Sequence, residues 1–293
     1  MRKSFLVVLS IWLVVSCHKP SHLRPLQLIK AYEVQTHGKL EPSGLTLWDG
    51  EFYTVSDKQD YIYHLVFDKN SVSMQPFIQI QNDKGTKLDF EGISHDEQNF
   101  YLISELYFQI LKVSKDGTSQ TWLPKDDSLR QLGQKAGLFQ VHNAYFEGIC
   151  WLSDNKFLLA AERDPRGFVE VDFTTNQHTA YQADLTMYAI GDNRSTDFTG
   201  LSCEHDIYVL ERNEYIVSAL KRYKGHYREF KGWSYQHIIE RQEFRYQDMR
   251  YGHGEGLVVK GNKVYIILDN NRNQHASSTN NNSLFLALKK PNF

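Results

Sequence analysis

The chain is poor in the residues that define several protein classes. Three cysteines among 293 residues cannot build the disulfide framework of a small secreted scaffold. Charge of one sign does not dominate: 33 Lys+Arg stand against 35 Asp+Glu, a net of −2, which excludes a highly basic nucleic-acid binder. Charged residues are 23% and hydrophobic residues 41%, ordinary proportions that exclude both a disordered chain and a polytopic membrane protein. Proline is also sparse, at seven. Aromatic residues are abundant, with 17 Tyr and 17 Phe, a bias that favours strands over helices.

The longest apolar run, Ser4 to Ser16, follows the basic pair Arg2-Lys3. It is too short to span ~30 Å of hydrocarbon comfortably, so it reads as a secretory signal. Its end, Val14-Val15-Ser16-Cys17 followed by Lys19-Pro20, resembles a bacterial lipobox, with Cys17 as the lipidated mature N-terminus. The expected organisation is a signal peptide over 1–16, a lipidated tether over 17–25 and one folded domain over 26–293. Loss of Arg2 and Lys3 takes the net charge from −2 to −4. The expected location is the bacterial cell envelope, at the periplasmic face or outer membrane, with a monomer held to the membrane through its lipid.

The rest of the chain repeats. One motif, a small or acidic residue, then Gly, then Leu or Ile, opens an apolar strand five times: Ser43-Gly44-Leu45, Glu91-Gly92-Ile93, Glu147-Gly148-Ile149, Thr199-Gly200-Leu201 and Glu255-Gly256-Leu257. The glycines are 48, 56, 52 and 56 residues apart. A second strand follows each and ends in an acid, at Asp57, Glu105, Glu162, Glu211 and Asp269, which lie 13, 13, 14, 11 and 13 residues after the glycines. Third strands fit Tyr61–Phe67, Phe108–Val113, Phe168–Phe173 and Ser283–Leu288, and fourth strands fit Met74–Ile80 and Gln177–Gln182. Four antiparallel strands per ~50 residues is the pattern of a β-propeller blade. The expected fold is therefore all-β, a single propeller of five blades, with six left open if the longer periods hide an extra unit. The fifth repeat stops after three strands, and Leu26–Val34 can supply its outer strand and close the ring. Asp126–Leu138 has the spacing of a short inserted amphipathic helix, and Asn270–Asn282 that of a solvated loop.

The first strand of a blade lines the central channel, and its start lies at the same end as the finish of the second strand. The residues before the five glycines and the five closing acids should thus crown one mouth. Eight of these ten are carboxylates: Glu91, Glu147, Glu255, Asp57, Glu105, Glu162, Glu211 and Asp269; the others are Ser43 and Thr199. Such a crown either binds a hard cation, Ca²⁺ or Mg²⁺, or accepts backbone N–H groups from adjoining blades. Lys58, Arg163 and Arg212 follow three of the acids and can pair with them. Glu91, Glu147 and Glu255 lean toward ligand binding, because their glycines allow close backbone approach.

The set of repeats resembles the phytase-like, "esterase-like activity of phytase" family and related SdiA-regulated periplasmic propellers. The resemblance rests on Ser43-Gly44-Leu45 with Val55-Ser56-Asp57, Phe146-Glu147-Gly148-Ile149 with Ala161-Glu162-Arg163-Asp164-Pro165-Arg166, Leu210-Glu211-Arg212-Asn213, and Glu255-Gly256-Leu257 with Leu268-Asp269-Asn270-Asn271. It extends from about residue 39 to 288 and implies a secreted or envelope propeller that acts as a divalent-metal phosphoesterase. On that expectation the carboxylates hold the cation, and Arg163, Arg166 or Arg212 clamps the phosphate of a small anionic substrate. The other class that fits is a noncatalytic ligand-binding or scaffolding lipoprotein.

Other chemistries find little support. There is no Gly-x-Ser-x-Gly elbow, no His-Glu-x-x-His pair and no complete P-loop. In Gly252-His253-Gly254-Glu255-Gly256, His253 is a candidate acid or base near neutral pH, or part of a tight turn. Cys150 and Cys203 fall two and three residues after their glycines, an offset that points them to opposite strand faces and predicts two buried thiols. Lys221–Trp233 alternates basic and aromatic residues and reads as an outer strand with one solvated face. With a secretory signal in front, no nucleic-acid partner is expected.

Overall fold

The computed structural model describes residues 23–36, 40–124, 127–184, 188, 196–249 and 252–291. Of these residues, 56% are in strands and 5% in helices. The segment expected to be a signal sequence, and Cys17, lie outside the described residues.

Two strands, β1 (Arg24–Pro25) and β2 (Gln27–Gln35), precede the repeats. Blade one is β3 (Pro42–Trp48), β4 (Glu51–Ser56), β5 (Gln59–Phe67) and β6 (Ser71–Gln79). Blade two is β7 (Phe90–His95), β8 (Asn99–Ser104), β9 (Gln109–Ser114) and β10 (Gln120–Leu123), followed by helix α1 (Ser128–Lys135). Blade three is β11 (Phe146–Ser153), β12 (Lys156–Ala161), β13 (Gly167–Asp172) and β14 (Gln177–Gln182). Blade four is β15 (Phe198–Ser202), β16 (Ile207–Glu211), β17 (Ile216–Tyr223) and β18 (His226–Ser234), followed by α2 (Gln236–Ile239). Blade five has β19 (Gly254–Lys260), β20 (Lys263–Leu268) and β21 (Ser283–Lys289), and β2 pairs antiparallel with β21, from Leu28 opposite Leu288 to Val34 opposite Ser283. The N-terminal strand thus completes the last blade, and the ring has no open seam. The short β1 runs parallel to the end of β18, so the fold includes Arg24–Pro25 as well.

The inner strands β3, β7, β11, β15 and β19 touch one another in cyclic order. Five apolar clusters fill the five spaces between neighbouring blades. Phe90, Phe146 and Phe198, each two residues before a motif glycine, are fully buried, and each contributes about 1.5–3 kcal/mol by leaving water. Helix α1 adds Leu129 to the cluster between blades two and three.

The motif glycines serve this packing. A Cβ on Gly44 would lie 2.8 Å from the Gly92 Cα, one on Gly92 2.8 Å from the Glu147 carbonyl oxygen, and one on Gly256 2.5 Å from the Gly44 carbonyl carbon. Each inner strand approaches the next through a residue without a side chain. The glycines therefore admit a neighbouring strand to close contact, where the sequence suggested a ligand. Just beyond them Leu45, Ile93, Ile149, Leu201 and Leu257 meet on the axis and leave no room for a water molecule. The channel is a closed cup at each end.

The expectation of two buried thiols is overturned. Cys150 and Cys203 form a disulfide, with Cα atoms 5.8 Å apart, joining blades three and four. Strand parity fails here because the residues belong to different sheets, and Cys203 lies one residue beyond the end of β15, where alternation no longer applies.

Candidate functional site

A cavity of about 400 Å³ opens at the end of the channel where the inner strands begin. Seven predicted acids line it: Asp57, Glu91, Glu105, Glu147, Glu162, Glu255 and Asp269. So do Ser43, Arg163 and Arg212. Glu211, Thr199, Arg166 and His253 are not in this lining.

A repeated irregularity aims the first-strand acids. In blade two Phe90 pairs with Ser104 and Gly92 with Ile103, so Glu91 has no partner across the sheet. The same bulge isolates Glu147, Thr199 and Glu255. A bulge turns its extra residue away from the alternation of the strand, here into the channel mouth. Thr199 is fully buried, and its hydroxyl donates to the Gly254 carbonyl at 2.6 Å, tying blades four and five.

Register also explains Glu211. The residue two before each glycine pairs with Ser56, Ser104, Ala161, Glu211 or Leu268, in blade order. The next position faces the mouth, and it holds Asp57, Glu105, Glu162, Arg212 and Asp269. Glu211 is therefore one residue too early and turns into the blade, where Arg166 meets it at 2.9 Å and also meets Glu229 at 2.9 Å. Burial, then the Glu229 charge, pushes the Glu211 carboxyl well above its usual range. Arg212 stands in the slot of an acid. Its guanidinium reaches Glu162 at 2.6 Å, Glu255 at 2.7 Å and Asp197 at 2.9 Å.

The second-strand acids have partners. Glu105 accepts the Tyr145 backbone N–H at 2.9 Å, from blade two to blade three. Asp57 pairs with Lys58, and Glu162 with Arg163 as well as Arg212. Asp269 accepts the Asn271 N–H at 2.8 Å. Among the described residues, the carboxylates of Glu91 and Glu147 make no hydrogen bond or ion pair. Both are raised well above the usual carboxylate range, first by burial, then by neighbouring charge from Asp57 on Glu91 and from Glu91 on Glu147. Burial, opposed in part by the Tyr145 N–H, raises Glu105 to about 7. Burial and the Glu255 charge raise Asp269 to about 8.

Two oxygen clusters are compact enough for one ion each: Asp57, Asp89 and Glu91, and Glu105, Glu147 and Glu162, with the donor atoms of each set within 4.8 Å of one another. Asp57 Oδ1 and Glu162 Oε2 are buried without a hydrogen-bond partner. All the donors are hard carboxylate oxygens, which suits Ca²⁺ or Mg²⁺.

His253 is buried between Tyr246, whose ring lies edge-on at 5.1 Å, and the Asp248 carbonyl, 3.0 Å from Nε2. Burial lowers its pKa. Its position is the third before a motif glycine, and the same position holds Glu41, Asp89, Tyr145 and Asp197 in the other blades. This further ring was missed. Its signal was present in the parallel strings Asp89-Phe90-Glu91-Gly92 and Asp197-Phe198-Thr199-Gly200. In three blades its carbonyl accepts the N–H of the closing acid: Asp89 from Glu105, Tyr145 from Glu162 and His253 from Asp269.

Among solved structures, the glutaminyl cyclase of Myxococcus xanthus superposes with a TM-score of 0.59 at 12% identity, covering 91% of this chain and 97% of that one. A streptogramin B lyase (TM-score 0.48, 12% identity, 90% and 98% covered) and the PQQ-bound aldose sugar dehydrogenase of Streptomyces coelicolor (0.47, 9%, 92% and 99%) are more distant. At such identities the first shows a shared fold, a β-propeller. No curated protein matches the chain. The family model of phytase-like proteins, described as esterase-like activity of phytase, matches residues 38–230. With well over half of its length matched, and with the propeller and its repeats in place, the chain belongs to the phytase-like family.

Proposed function

We propose that this protein is an envelope-anchored lipoprotein whose carboxylate-lined cup carries out divalent-metal-assisted phosphoester hydrolysis on a small anionic substrate. The observation that carries the reading is the pair Glu91 and Glu147, unpartnered among the described residues and each within a three-carboxylate cluster. Asp57, Asp89 and Glu91 would hold one ion, and Glu105, Glu147 and Glu162 the other. A bound divalent cation supplies Lewis acidity at a phosphoryl oxygen and lowers the pKa of a bound water. Arg163, at the rim with a side chain 28% exposed, would meet a phosphate there. Lys58, 40% exposed across the mouth, adds a second cation. Arg212 is committed to three acids and holds the cup together. Arg166, from the β12–β13 turn of blade three, is buried against Glu211 and Glu229 of blade four, so a clamp role falls to Arg163.

The Glu105 contact with Tyr145 N–H and the Arg212 network favour a second reading, a noncatalytic ligand-binding scaffold. Turnover separates the two. The mature protein is assayed with Ca²⁺ or Mg²⁺ against phytate and an aryl phosphate. Hydrolysis abolished by Glu147→Gln and by a chelator supports the enzyme. Metal binding without turnover supports the scaffold. Lipidation is tested by acyl labelling in cells: Cys17→Ser should abolish the label and leave unprocessed precursor.

A further inference from the structure

We infer that the outer edge of blade four, the β17–β18 hairpin, rests on an anionic lipid surface. The inference rests on the reading of Cys17 as lipidated and adds to it a second contact.

Residues 221–233 contain five Lys or Arg and a single acid. That acid, Glu229, turns inward to Arg166 at 2.9 Å. Across the hairpin Lys221 pairs with Arg228 and Tyr223 with His226, so these four residues share a face, and Phe230 follows at a bulge between Glu229 and Lys231. Tyr223 is 52% and Phe230 51% exposed, two large apolar side chains on the one hairpin that carries the cations. Lys224 and Arg228 lie 5.4 and 4.8 Å from the Tyr223 ring centroid. Aromatic rings with cations around them suit the headgroup layer, where a ring can sit among acyl carbonyls while cations meet lipid phosphates. Arg222 pairs with Glu170 and Arg228 with Asp184, while Lys221 and Lys224 stand exposed beside them, so this edge is basic on a chain that is net negative.

The N-terminus identifies the occupant. β1 runs parallel to β18, with Arg24 opposite Trp233 and Pro25 opposite Ser234. A parallel pairing brings the chain into β1 from the side of Lys231 and Phe230. Seven peptide steps separate Cys17 from Arg24, a reach of at most about 25 Å. From Arg24 that reach extends along β18 toward the hairpin, so an acyl chain on Cys17 can bring this edge to the bilayer. It also adds a second membrane signal to the lipid.

The test uses residues 18–293, which retain every described element and carry no lipid. They are sedimented with phosphatidylcholine vesicles with or without about 30% phosphatidylglycerol, in the presence of a chelator, so that a metal site plays no part. The expected result is binding to the anionic vesicles alone, abolished by high salt. The double variant Lys221→Glu/Lys224→Glu should lower the partition coefficient at least about tenfold, and Phe230→Ser should lower it less, both with unchanged melting temperature. Lys260→Glu, at the exposed end of β19, should bind as the wild type does. Equal binding to both vesicles, no binding to either, or tighter binding to heparin than to anionic vesicles overturns the inference. Acyl labelling of Cys17 reports separately on the anchor.

Discussion

Arg212 occupies in blade four the position that Glu162 occupies in blade three, and the two side chains meet at 2.6 Å. A cation in one slot of an anionic ring binds three acids from three places in the sequence, including Asp197, which is fully buried. Arg212→Gln leaves those acids without their counter-charge, a change that costs about 3–5 kcal/mol for a buried network. Urea denaturation at pH 7 measures it. Because the stranded carboxylates can take up protons, the deficit should shrink at pH 5. A loss under about 1 kcal/mol at pH 7 would show that the network is dispensable.

The glycine ring sets a rank order. A Cβ on Gly256 would press on the Gly44 backbone at 2.5 Å, whereas one on Gly200 meets its nearest atom, the Glu255 carbonyl oxygen, at 3.1 Å. Backbone cannot step aside as a side chain can, and overpacking typically costs about 1–3 kcal/mol. Gly256→Ala should therefore sit at the top of that range or above it, and Gly200→Ala near its bottom. The reverse order in thermal melts would refute the packing role.

Much of this arrangement was legible in the repeats. Each blade uses the same inner strand, so the motif recurs, and the incomplete fifth repeat announces the closure that β2 provides. Helix α1 and the Asn-rich loop also lie where the spacing puts them. The errors have local causes. The span from Gly200 to the mouth-facing slot is 12 residues, shorter than in the other blades, so the repeat spacing points to the acid Glu211 one residue before the slot that Arg212 fills. The bulges before Gly92, Gly148, Gly200 and Gly256 break alternation without altering composition. The Cys150–Cys203 bond joins two sheets, and parity within one sheet is silent on that.

That bond closes a separation of 53 residues between adjacent blades. Restricting the unfolded chain in this way typically contributes about 2–4 kcal/mol. Cys150→Ser/Cys203→Ser, or reduction of the wild type, should lower the melting temperature by about 5–10 °C. An unchanged melt with thiols proven free would mean that the blades need no link here.

The mouth should make the metal-free protein more stable in mild acid than in mild base. The folded values of Glu105 and Asp269 are raised to about 7 and about 8, above ordinary unfolded values near 4. Between those limits the folded state holds more protons than the unfolded state, so stability falls as pH rises. The contribution is fully present below about pH 4 and is lost as pH passes 7 to 8. In chelator, the melting temperature should drop by several degrees between pH 5.5 and 8.5. A flat or rising profile would mean that these carboxylates ionise freely in the fold.

Calcium should reverse that trend, and Glu147 is where the reversal can be removed. A cation that binds only the folded protein stabilises it by RT ln(1 + [L]/Kd), about 2.7 kcal/mol at a hundredfold excess over Kd, equivalent to about 5–10 °C for a domain of this size. Because it needs ionised carboxylates, the gain should grow from pH 5.5 to 8.5 and vanish on adding a chelator. Glu147 has no partner among the described residues, and burial opposes its charge. Glu147→Gln should therefore leave the metal-free melting temperature equal to or above the wild type while removing most of the calcium gain. Glu105→Gln differs in a defined way: it weakens the contact with Tyr145 N–H, so it should lower the metal-free melting temperature as well. If calcium moves neither protein and Glu147→Gln is destabilising, the carboxylate is a tie between blades, and the hydrolytic reading of the cup loses its metal.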